Sequence, residues 1–492
     1  MKQAYLIIDI GTGNVRVAVA DSQGNLLGVA RTDVEYISDE LYPESLYFKP
    51  DRLWEQILSL SDQALEIAQK EESLEILAIT ASSQREGIVL LDKKGNSLMG
   101  LPNHDHRGRE WEEDIPEQDR IYELTGRKPS SLFSALKLVG VRERRTELFD
   151  KCDCVMSISD WAQYQLCGVK GYEHSQASET CLYDVEKMEW STELCQYFDI
   201  SPAILPPLHN SGTILGTVSV DLAQRLNISD DAFVIVGGAD TQLAIKSTQP
   251  DLGDMVIVSG TTTPLTKVTE KYLLDSKKRT WTNRHTDDSR FILEANTGVT
   301  GLNYQRLKEI FYPNESYDVI EKELEETTSS RCVASLGSLI ADENKPLTKG
   351  GFIFNTPVSH DLTRAYFVRS ALWDIACCIK GNYDSLCDVD PYEKDYIWAS
   401  GGGFQSKTLA QFIANLLDKK VRVREGYRQA SVVGGVIICN EALKIGVENQ
   451  LGSKEVLPLQ QADFKERYEN WKNVRSGFKQ IFLEEPPVLQ EK

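Results

Sequence analysis

The sequence has a deficit of basic side chains. Lys and Arg together number 54 against 74 Asp and Glu, which gives a formal net charge of -20. A surface with this excess of negative charge repels phosphate polymers and anionic lipid headgroups. We therefore expect neither a nucleic-acid partner nor a membrane partner.

Long apolar runs are also missing from the sequence. No run approaches the roughly 18 residues that identify a membrane-spanning helix. The first residues, Met1 to Tyr5, lead directly into a strand-like segment and do not resemble a signal peptide. These features predict a soluble protein of the cytoplasm.

Cysteine and histidine do not occur in metal-binding patterns. The 10 cysteines are scattered, and neither Cys152-x-Cys154 nor Cys377-Cys378 has a second cysteine pair or a histidine pair at zinc spacing. Only 6 histidines are present, and His104-x-His106 has no third ligand at a convincing distance along the chain. We expect reduced, buried thiols and histidines that belong to a polar pocket or to the surface.

Length and composition are those of a folded protein with several domains. At roughly 100 to 200 residues per domain, 492 residues predict two to four domains. Hydrophobic residues make up 41% and charged residues 26% of the chain, which is close to the globular average. A small disulfide scaffold and a disordered chain are both excluded.

Two segments about 250 residues apart share one pattern. The apolar run Tyr5 to Ile10 is followed by a Gly-Thr turn and by the alternating segment Asn14 to Ala20. Met255 to Val268 repeats the order strand, Gly-Thr turn, strand. The repeat predicts a duplicated α/β fold with a mixed five-stranded sheet in each half. The predicted domains are 1–246 and 247–492, with the boundary in the loop-like stretch 246–254.

The first glycine turn admits more than one interpretation. The stretch from Asp9 to Arg16 contains G-x-G-x-x-R, one residue short of the dinucleotide pattern, and Asp33 stands where a ribose acceptor would follow. A strand instead of a helix after the turn, and a carboxylate at Asp9, both count against a dehydrogenase. Asp9 and Thr12 are compatible with Mg²⁺ and phosphate. An ordinary glycine hairpin with a capping Asp stays open.

Three further motifs follow apolar strands. Asp240 ends Gly237-Gly-Ala-Asp240 and is either a general base or a helix N-cap. Gln84-Arg85-Glu86 places an Arg and a Glu where they would pair with each other or bind a small polar ligand. The stretch 400–408 nearly matches a phosphate-binding P-loop, but Ser406 replaces a required glycine, so we interpret the match as accidental. Gly401 and Gly402 would still allow a backbone to lie against a nucleotide, although a plain strand-to-helix turn remains an alternative.

Taken in order, these motifs resemble those of the FGGY carbohydrate kinases. The resemblance rests on Asp9-x-Gly-Thr12 with Arg16, Gln84-Arg-Glu86, Asp105-x-Arg107, Gly237-Gly-Ala-Asp240, Gly260-Thr261, and Gly401-Gly-Gly403 followed by Ser406, Gln411 and Ala414. Asn415 stands where the family pattern has Asp. The resemblance implies two actin-like (RNase H-like) domains of the hexokinase, heat-shock protein and actin superfamily, with an interdomain cleft.

The resemblance also implies a role for each site residue, with ATP and Mg²⁺ as cofactors. Asp240 is expected to be the catalytic base and Asp9 to organise the metal. The expected substrate ligands are Gln84, Arg85, Glu86, Asp105 and Gln242. The expected nucleotide and phosphate ligands are Thr12, Gly13, Arg16, Gly260, Thr261, Gly298, Gly401, Gly402 and Ser406.

The expected substrate is a small open-chain sugar or polyol. Within the family, Gln84-Arg85-Glu86 is similar to the glycerol kinases and the autoinducer-2 kinases. The stretches 83–90, 103–107, 158–161 and 238–243 look most like the autoinducer-2 kinases. This resemblance implies dihydroxy pentanedione as the first candidate, with xylulose, ribulose or glycerol as alternatives. A homodimer is one expected assembly.

A protein that binds sugar and nucleotide without transferring phosphate is the alternative from a different class. It would keep the fold, because fold alone does not dictate function. The presence of both Asp9 and Asp240 argues against it, since a pure binding protein has no need of a base.

Overall fold

The computed structural model describes residues 1–42, 45–70, 73–327, 331–343, 345–446, 452–459 and 463–483. They form two compact units. The first consists of Met1–Gln249, Val268–Ile292 and Gln429–Gln450, and the second of Pro250–Lys267, Leu293–Arg428 and Leu451–Lys492. Two later segments, Val268–Ile292 and Gln429–Gln450, thus pack with the first unit, while the predicted domain boundary near 246/247 stays a prediction.

Strands and helices are mixed along the described part of the chain. Up to Ser247 they are β1 (Lys2–Ile10), β2 (Asn14–Asp21), β3 (Leu26–Asp33), β4 (Ile37–Ser38), β5 (Leu46–Tyr47), α1 (Pro50–Gln69), β6 (Leu74–Ser83), β7 (Ile88–Leu91), β8 (Ser97–Leu101), α2 (Gln118–Thr125), α3 (Ser134–Arg144), α4 (Thr146–Phe149), β9 (Cys154–Ser157), α5 (Ile158–Cys167), β10 (Tyr172–Glu173), α6 (His174–Ala177), β11 (Tyr183–Asp184), β12 (Glu189–Trp190), α7 (Thr192–Tyr197), β13 (Leu208–His209), β14 (Ile214–Thr217), α8 (Val220–Leu226), β15 (Phe233–Ala239) and α9 (Asp240–Ser247).

The later elements are mixed in the same way. They are β16 (Met255–Val258), β17 (Thr262–Thr269), β18 (Trp281–Arg284), β19 (Phe291–Val299), α10 (Gly301–Phe311), α11 (Tyr317–Glu326), β20 (Cys332–Ser335), β21 (Gly351–Phe354), α12 (Arg364–Val389), β22 (Tyr396–Ser400), α13 (Lys407–Leu417), β23 (Lys420–Arg424), α14 (Ala430–Leu443), β24 (Ser453–Val456) and α15 (Phe464–Leu483).

The first large sheet is mixed and has the strand order β14-β15-β6-β1-β2-β3. β1 pairs antiparallel with β2 and parallel with β6, and β6 pairs parallel with β15. The last seven residues of β1 are all buried, as expected for a central strand covered on both faces. The carboxyl ends of three parallel strands, β1, β6 and β15, therefore lie at the same edge of the sheet.

The second large sheet repeats this order. Its strands run β18-β19-β17-β16-β22-β23-β24. β16 pairs antiparallel with β17 and parallel with β22, and β22 pairs parallel with β23. The predicted duplication is therefore confirmed. The predicted five strands per sheet are too few, because the sheets have six and seven strands.

Both predicted hairpins are present, and their turns are closed in similar ways. The Gly11 N–H donates to the Asn14 carbonyl over 2.9 Å, and the Gly260 N–H donates to the Thr262 carbonyl over 2.9 Å. A strand, not a helix, follows each turn. A dinucleotide-binding dehydrogenase would need a helix N-terminus after the turn to bind the pyrophosphate, and this protein has a strand there. The structure therefore does not support the dehydrogenase interpretation.

Helix packing on the first sheet depends on close backbone approach. A Cβ at Gly28 of β3 would lie 2.1 Å from the Ala64 carbonyl of α1, and a Cβ at Gly434 of α14 would lie 2.1 Å from the Leu243 carbonyl of α9. The hydroxyl of Tyr5 in β1 donates to Asn440 of α14 over 2.7 Å. These contacts hold α14 against the first sheet, although α14 follows β23 in the chain.

No helix within the described ranges combines the length and the apolar character that a membrane span requires.

Candidate functional site

The edge of the first sheet gathers most of the predicted site residues. In the parallel ladders Asp9 lies opposite Ser82, and Ser83 lies opposite Ala239. Asp240 follows Ala239 directly, and Gln84 follows Ser83. The carboxyl ends of parallel strands form the usual ligand side of an α/β sheet. The structure thus brings Asp9, the 84–86 segment and Asp240 together, as the sequence predicts.

Two serine hydroxyls fix the Asp9 carboxylate. Oδ1 accepts a hydrogen bond from Ser82 over 2.9 Å, and Oδ2 accepts one from Ser431 of α14 over 2.8 Å. The Arg16 guanidinium lies 3.8 Å from Oδ2 and also donates to the side chain of Gln429. Ser431 is 422 residues from Asp9 in the chain, and no sequence signal identified it. Asp9 is 8% exposed, so it is a nearly buried carboxylate with a fixed orientation.

Asp240 is the first residue of α9, and its pKa is raised. Its Oδ1 accepts hydrogen bonds from the Thr241 N–H over 2.6 Å and from the Thr241 hydroxyl over 3.2 Å. Burial and the nearby charge of Asp9 raise the pKa of Asp240 to about 6, while Arg85 acts in the opposite direction. The N-cap position belongs to Ala239, so the alternative interpretation of Asp240 as an N-cap is not supported.

Arg85 and Glu86 form a buried ionic pair. The Arg85 Nε lies 3.8 Å from Glu86 Oε1, and its Nη1 lies 3.5 Å from Oε1 of Glu179. Burial and the Glu179 charge raise the pKa of Glu86. Glu86 has a φ of 60°, and the Gly87 N–H donates across it to the Arg85 carbonyl over 2.7 Å. Non-glycine residues with positive φ cluster at functional sites, where the fold imposes them.

Three of the predicted substrate ligands are buried within the protein. Gln84 donates to the Tyr36 hydroxyl over 3.2 Å and accepts from the Asn103 N–H over 2.9 Å. Asp105 is fully buried and accepts from the Leu46 N–H over 3.1 Å and from Arg107 Nε over 2.7 Å. Gln242 is also fully buried. Asp105 and Gln242 are thus fully buried, and the Oε1 atom of Gln242 has no hydrogen-bond partner in the described part of the chain; their expected substrate contacts stay predictions.

The first hairpin turn presents Thr12 and Gly13. The Thr12 hydroxyl accepts a hydrogen bond from Asn103 Nδ2 over 2.9 Å, and the Thr12 carbonyl accepts one from the Tyr36 hydroxyl over 2.7 Å. Gly13 is exposed, and a Cβ there would meet no atom within 4 Å. This turn has the open backbone and the hydroxyl that a phosphate site needs.

The second unit contains a cavity of about 210 Å³ at the second hairpin turn. It includes four of the predicted residues, and Gly401 is adjacent to it. Its lining consists of Ser259, Gly260, Thr261, Gly301, Leu302, Tyr304, Gln305, Tyr317, Glu321, Gly402, Gly403, Gln405 and Ser406. Gly298 does not line this cavity. A Cβ added at Gly298 would lie 2.8 Å from Cγ of Leu339.

The glycine segment after β22 has two different constraints. Gly401 has a φ of +93°, and a Cβ there would lie 2.4 Å from the Ser259 carbonyl. A Cβ at Gly402 would meet nothing closer than Gln405 Nε2 at 3.7 Å. Gly401 is therefore required by the fold, whereas Gly402 leaves free space beside the cavity. Lys407 is 82% exposed and lies 3.8 Å from Glu325, which agrees with the P-loop match being accidental.

Two cavity residues that sequence reasoning missed have polar atoms without hydrogen-bond partners. Tyr304 is 9% exposed, and its buried hydroxyl has no partner in the described part of the chain. Glu321 accepts from Thr408 through Oε2, but its buried Oε1 has no partner there. Unpaired buried polar atoms indicate a missing ligand or water. Together with the open backbone at Gly402, these two atoms are available to bind a ligand.

The described residues do not form a preformed metal centre. Among the described residues no group of three or more His, Cys, Asp or Glu side chains is placed to hold a metal ion. Mg²⁺ in phosphoryl-transfer sites is commonly held by one or two carboxylates together with phosphates and waters. Asp9 alone is compatible with that arrangement.

Comparison with protein families identifies the chain. The sequence model of the FGGY family of carbohydrate kinases, N-terminal domain, matches residues 4–246, and the model of the C-terminal domain matches residues 255–443. The chain belongs to the FGGY family of carbohydrate kinases. The two matches bracket the predicted boundary at 246–254.

Two relatives illustrate its place among the FGGY kinases. YoaC of Bacillus subtilis (strain 168), named as a candidate sugar kinase, is 50% identical over 479 residues, which cover 97% of this chain and 98% of YoaC. The autoinducer-2 kinase of Escherichia coli O9:H4 (strain HS) is 24% identical over 444 residues, which cover 86% of this chain and 83% of that kinase. The chain is similar to both along most of its length.

Solved structures of FGGY kinases share the fold. Plasmodium falciparum glycerol kinase with ADP has a TM-score of 0.83 at 18% identity, covering 99% of this chain and 100% of that one. The ligand-bound xylulose kinase of Lactobacillus acidophilus has a TM-score of 0.81 at 15% identity, covering 97% of each chain. These likenesses confirm the predicted duplicated α/β architecture.

Proposed function

We propose that the protein is an ATP-dependent kinase that transfers the γ-phosphate to a hydroxyl of a small open-chain sugar or polyol. The observation that carries this proposal is the Asp240 carboxylate, whose pKa is raised to about 6 beside Asp9 and Arg85. A base of this acidity is ionised at neutral pH and still accepts a proton as the hydroxyl attacks phosphorus. A cytoplasmic location, where ATP is available, belongs to the same proposal.

The first unit supplies the acceptor side of the reaction. Asp240 takes the proton of the attacking hydroxyl, and the Arg85–Glu86 pair binds other oxygens of the sugar. Mg²⁺, when bound with the nucleotide, neutralises phosphate charge, and Asp9 is the residue that would hold its hydration shell. Thr12 and Gly13 bind phosphate oxygens through a hydroxyl and backbone N–H groups.

The second unit supplies the nucleotide site. The Gly260-Thr261 turn and Gly402 offer backbone at one side of the cavity. Tyr304 and Glu321 offer a hydroxyl and a carboxylate oxygen that have no partner in the described part of the chain. A nucleoside, with a flat polar base and a ribose, matches these groups in size and polarity.

Replacement of Asp240 tests the proposal directly. Asp240→Asn keeps the shape and the hydrogen bonds from Thr241 but removes the base, so turnover is expected to fall by about 10² to 10⁴-fold. Sugar and nucleotide affinities should stay close to those of the parent protein, as measured by calorimetry.

Asp221→Asn is the matched control, because Asp221 is an exposed acidic residue in the first turn of another helix, α8. Its turnover should equal that of the parent. If the folded Asp240→Asn variant turned over within about threefold of the parent, Asp240 would not be the base.

We further propose dihydroxy pentanedione as the first substrate to test. The support is the likeness to autoinducer-2 kinases together with the Gln84-Arg85-Glu86 motif. Consumption of ATP is to be measured with this compound, xylulose, ribulose and glycerol. A higher kcat/KM for one of the latter three would replace the first candidate. No turnover with any of them, and identical behaviour of Asp240→Asn, would favour the binding-protein alternative.

A further inference from the structure

Asn103 connects the first hairpin turn with the segment that contains Arg85 and Glu86. It is half-buried in the loop that follows β8. Its Nδ2 donates to the Thr12 hydroxyl over 2.9 Å, and its backbone N–H donates to Oε1 of Gln84 over 2.9 Å. Its carbonyl accepts from Lys137 Nζ over 3.1 Å. The residue is therefore held from three sides.

The backbone decides which way the Asn103 amide points. The His104 N–H donates to Oδ1 of Asn103 over 2.8 Å. A backbone N–H has no acceptor capacity, so the atom facing it must be the amide oxygen and not the amide nitrogen. It follows that Nδ2, a pure donor, faces Thr12.

A pure donor at this position determines the direction of the Thr12 hydroxyl. A threonine hydroxyl has one hydrogen and two lone pairs, and Asn103 uses a lone pair. The hydroxyl hydrogen must then point away from Asn103, and no acceptor for it is found among the described residues. Phosphate oxygens only accept hydrogen bonds, so the hydroxyl is oriented as phosphate requires.

We infer that Asn103 is a positioning residue for the phosphate site, because it holds the Thr12 hydroxyl in the orientation that donates. The inference rests on the proposed function, in which Thr12 contacts a phosphate. It predicts that the polarity of residue 103 matters, and not only its size. Aspartate is nearly isosteric with asparagine but accepts hydrogen bonds only, so it would draw the Thr12 hydrogen toward itself and repel the phosphate.

The test compares Asn103→Asp, Asn103→Ala and Thr12→Val, together with the double variant Asn103→Ala/Thr12→Val. For Asn103→Ala, kcat/KM for ATP is expected to fall about tenfold, as for a lost hydrogen bond to a charged group. For Asn103→Asp the fall should be about 100-fold, because repulsion is added. The KM for the sugar should change less than about threefold, since Asn103 acts through Thr12.

The double variant and a control separate positioning from mere support of the loop. If Asn103 acts through the Thr12 hydroxyl, the double variant is no worse than Thr12→Val alone. Asn96→Ala is the matched control, because Asn96 donates to Asp92 over 2.9 Å in an exposed turn. It should leave both KM values unchanged. Asn103→Asp, which retains the bond from His104, is decisive if Asn103→Ala folds poorly.

Two results would overturn the inference alone. These are equal effects of Asn103→Asp and Asn103→Ala on kcat/KM for ATP, or fully additive effects of Asn103→Ala and Thr12→Val. A Thr12→Val variant with unchanged kinetics would overturn the inference together with the phosphate role of Thr12 in the proposed function. The Asp240→Asn result is independent of all three outcomes.

Discussion

The Asp240 carboxyl has an acidity that should be visible in the kinetics. Burial is the largest cause of its raised pKa, and the Asp9 charge adds to it, giving about 6. The base works only when ionised, so kcat should be constant above neutral pH and fall as the pH drops below about 6. A profile of kcat from about pH 3.5 to pH 8 checks this, because it includes the ordinary pKa of aspartate, about 3.9. If the decrease of kcat, the acid limb of the profile, occurred only near that ordinary pKa, the pKa of Asp240 would not be raised in the working enzyme.

Arg85 provides the control for that profile. Its positive charge lowers the pKa of Asp240, so Arg85→Gln should move the acid limb to higher pH. Arg120→Gln removes an arginine that pairs with Glu123 and Glu193 at the surface, and it should leave the limb in place. If kcat fell at the same pH in Arg85→Gln and in Arg120→Gln, Arg85 and Asp240 would not interact in the working enzyme.

Single residues of the site differ in how far the sequence reveals them. Asp9 and Asp240 were predictable, because each stands at the end of an apolar strand. Ser431 was not, because its hydroxyl reaches Asp9 only through the packing of α14. The burial of Asp105 and Gln242 was equally invisible, since a motif gives the identity of a side chain but not its exposure. The roles of all the site residues, Asp9 and Asp240 included, stay predictions.

At the scale of elements, the glycines after β22 make a testable pair. Gly402→Ala should change the free energy of unfolding by less than about 1 kcal/mol, because free space exists for its Cβ. It should raise the KM for ATP about tenfold, because the methyl group narrows the cavity. Gly401→Ala should instead destabilise the protein by about 2 to 4 kcal/mol, because of its positive φ and the contact with Ser259.

Thermal unfolding and ATP kinetics of the two variants separate the two roles. A destabilised Gly402→Ala protein, or one with an unchanged KM for ATP, would contradict the assignment of Gly402 to the nucleotide site. Gly401→Ala serves as the reference for a glycine that the backbone itself requires.

Elements with strong periodicity were predicted well. The spacing of apolar residues in the sequence predicts a helix from Pro50 to Lys70. The observed helix α1 covers Pro50–Gln69. The two hairpins were predicted because each combines an apolar run with a Gly-Thr turn. Edge strands such as β14 and β24 were missed, because four residues with partly exposed side chains carry almost no periodic signal.

For the whole molecule, the duplication was predictable, but the packing of later segments with the first unit was not. The repeated strand, turn and strand unit is local in sequence, whereas the assignment of Gln429–Gln450 to the first unit depends on tertiary packing. The α14 segment approaches α9 at Gly434 so closely that a Cβ would lie 2.1 Å from a backbone oxygen. Such an approach has no signature beyond the presence of a glycine.

The stability of the molecule should increase as the pH falls from 8 to 6.5. Burial is the main reason that the pKa of Glu173 is raised from 4.5 to about 8. In this range the folded state therefore binds a proton that the unfolded state does not bind, which contributes about 2 kcal/mol. Below pH 6.5 the gain is opposed, because burial lowers the pKa of His174 from 6.5 to about 4 and the unfolded state then binds the extra proton.

Glu173→Gln distinguishes this effect from the self-repulsion of a chain with a net charge of -20. Gln keeps an oxygen that accepts from Ser175 and from the Gln176 N–H, but it does not titrate. Thermal melting at both pH values should show a higher Tm at pH 6.5 for the parent and a smaller difference for Glu173→Gln, in which the raised pKa of Glu86 still acts in this direction. Repulsion between surface charges is screened at about 0.5 M salt, whereas the desolvation of a buried carboxyl is not. A pH dependence that vanished in salt and was equal in both proteins would assign it to surface charge and remove Glu173 as its cause.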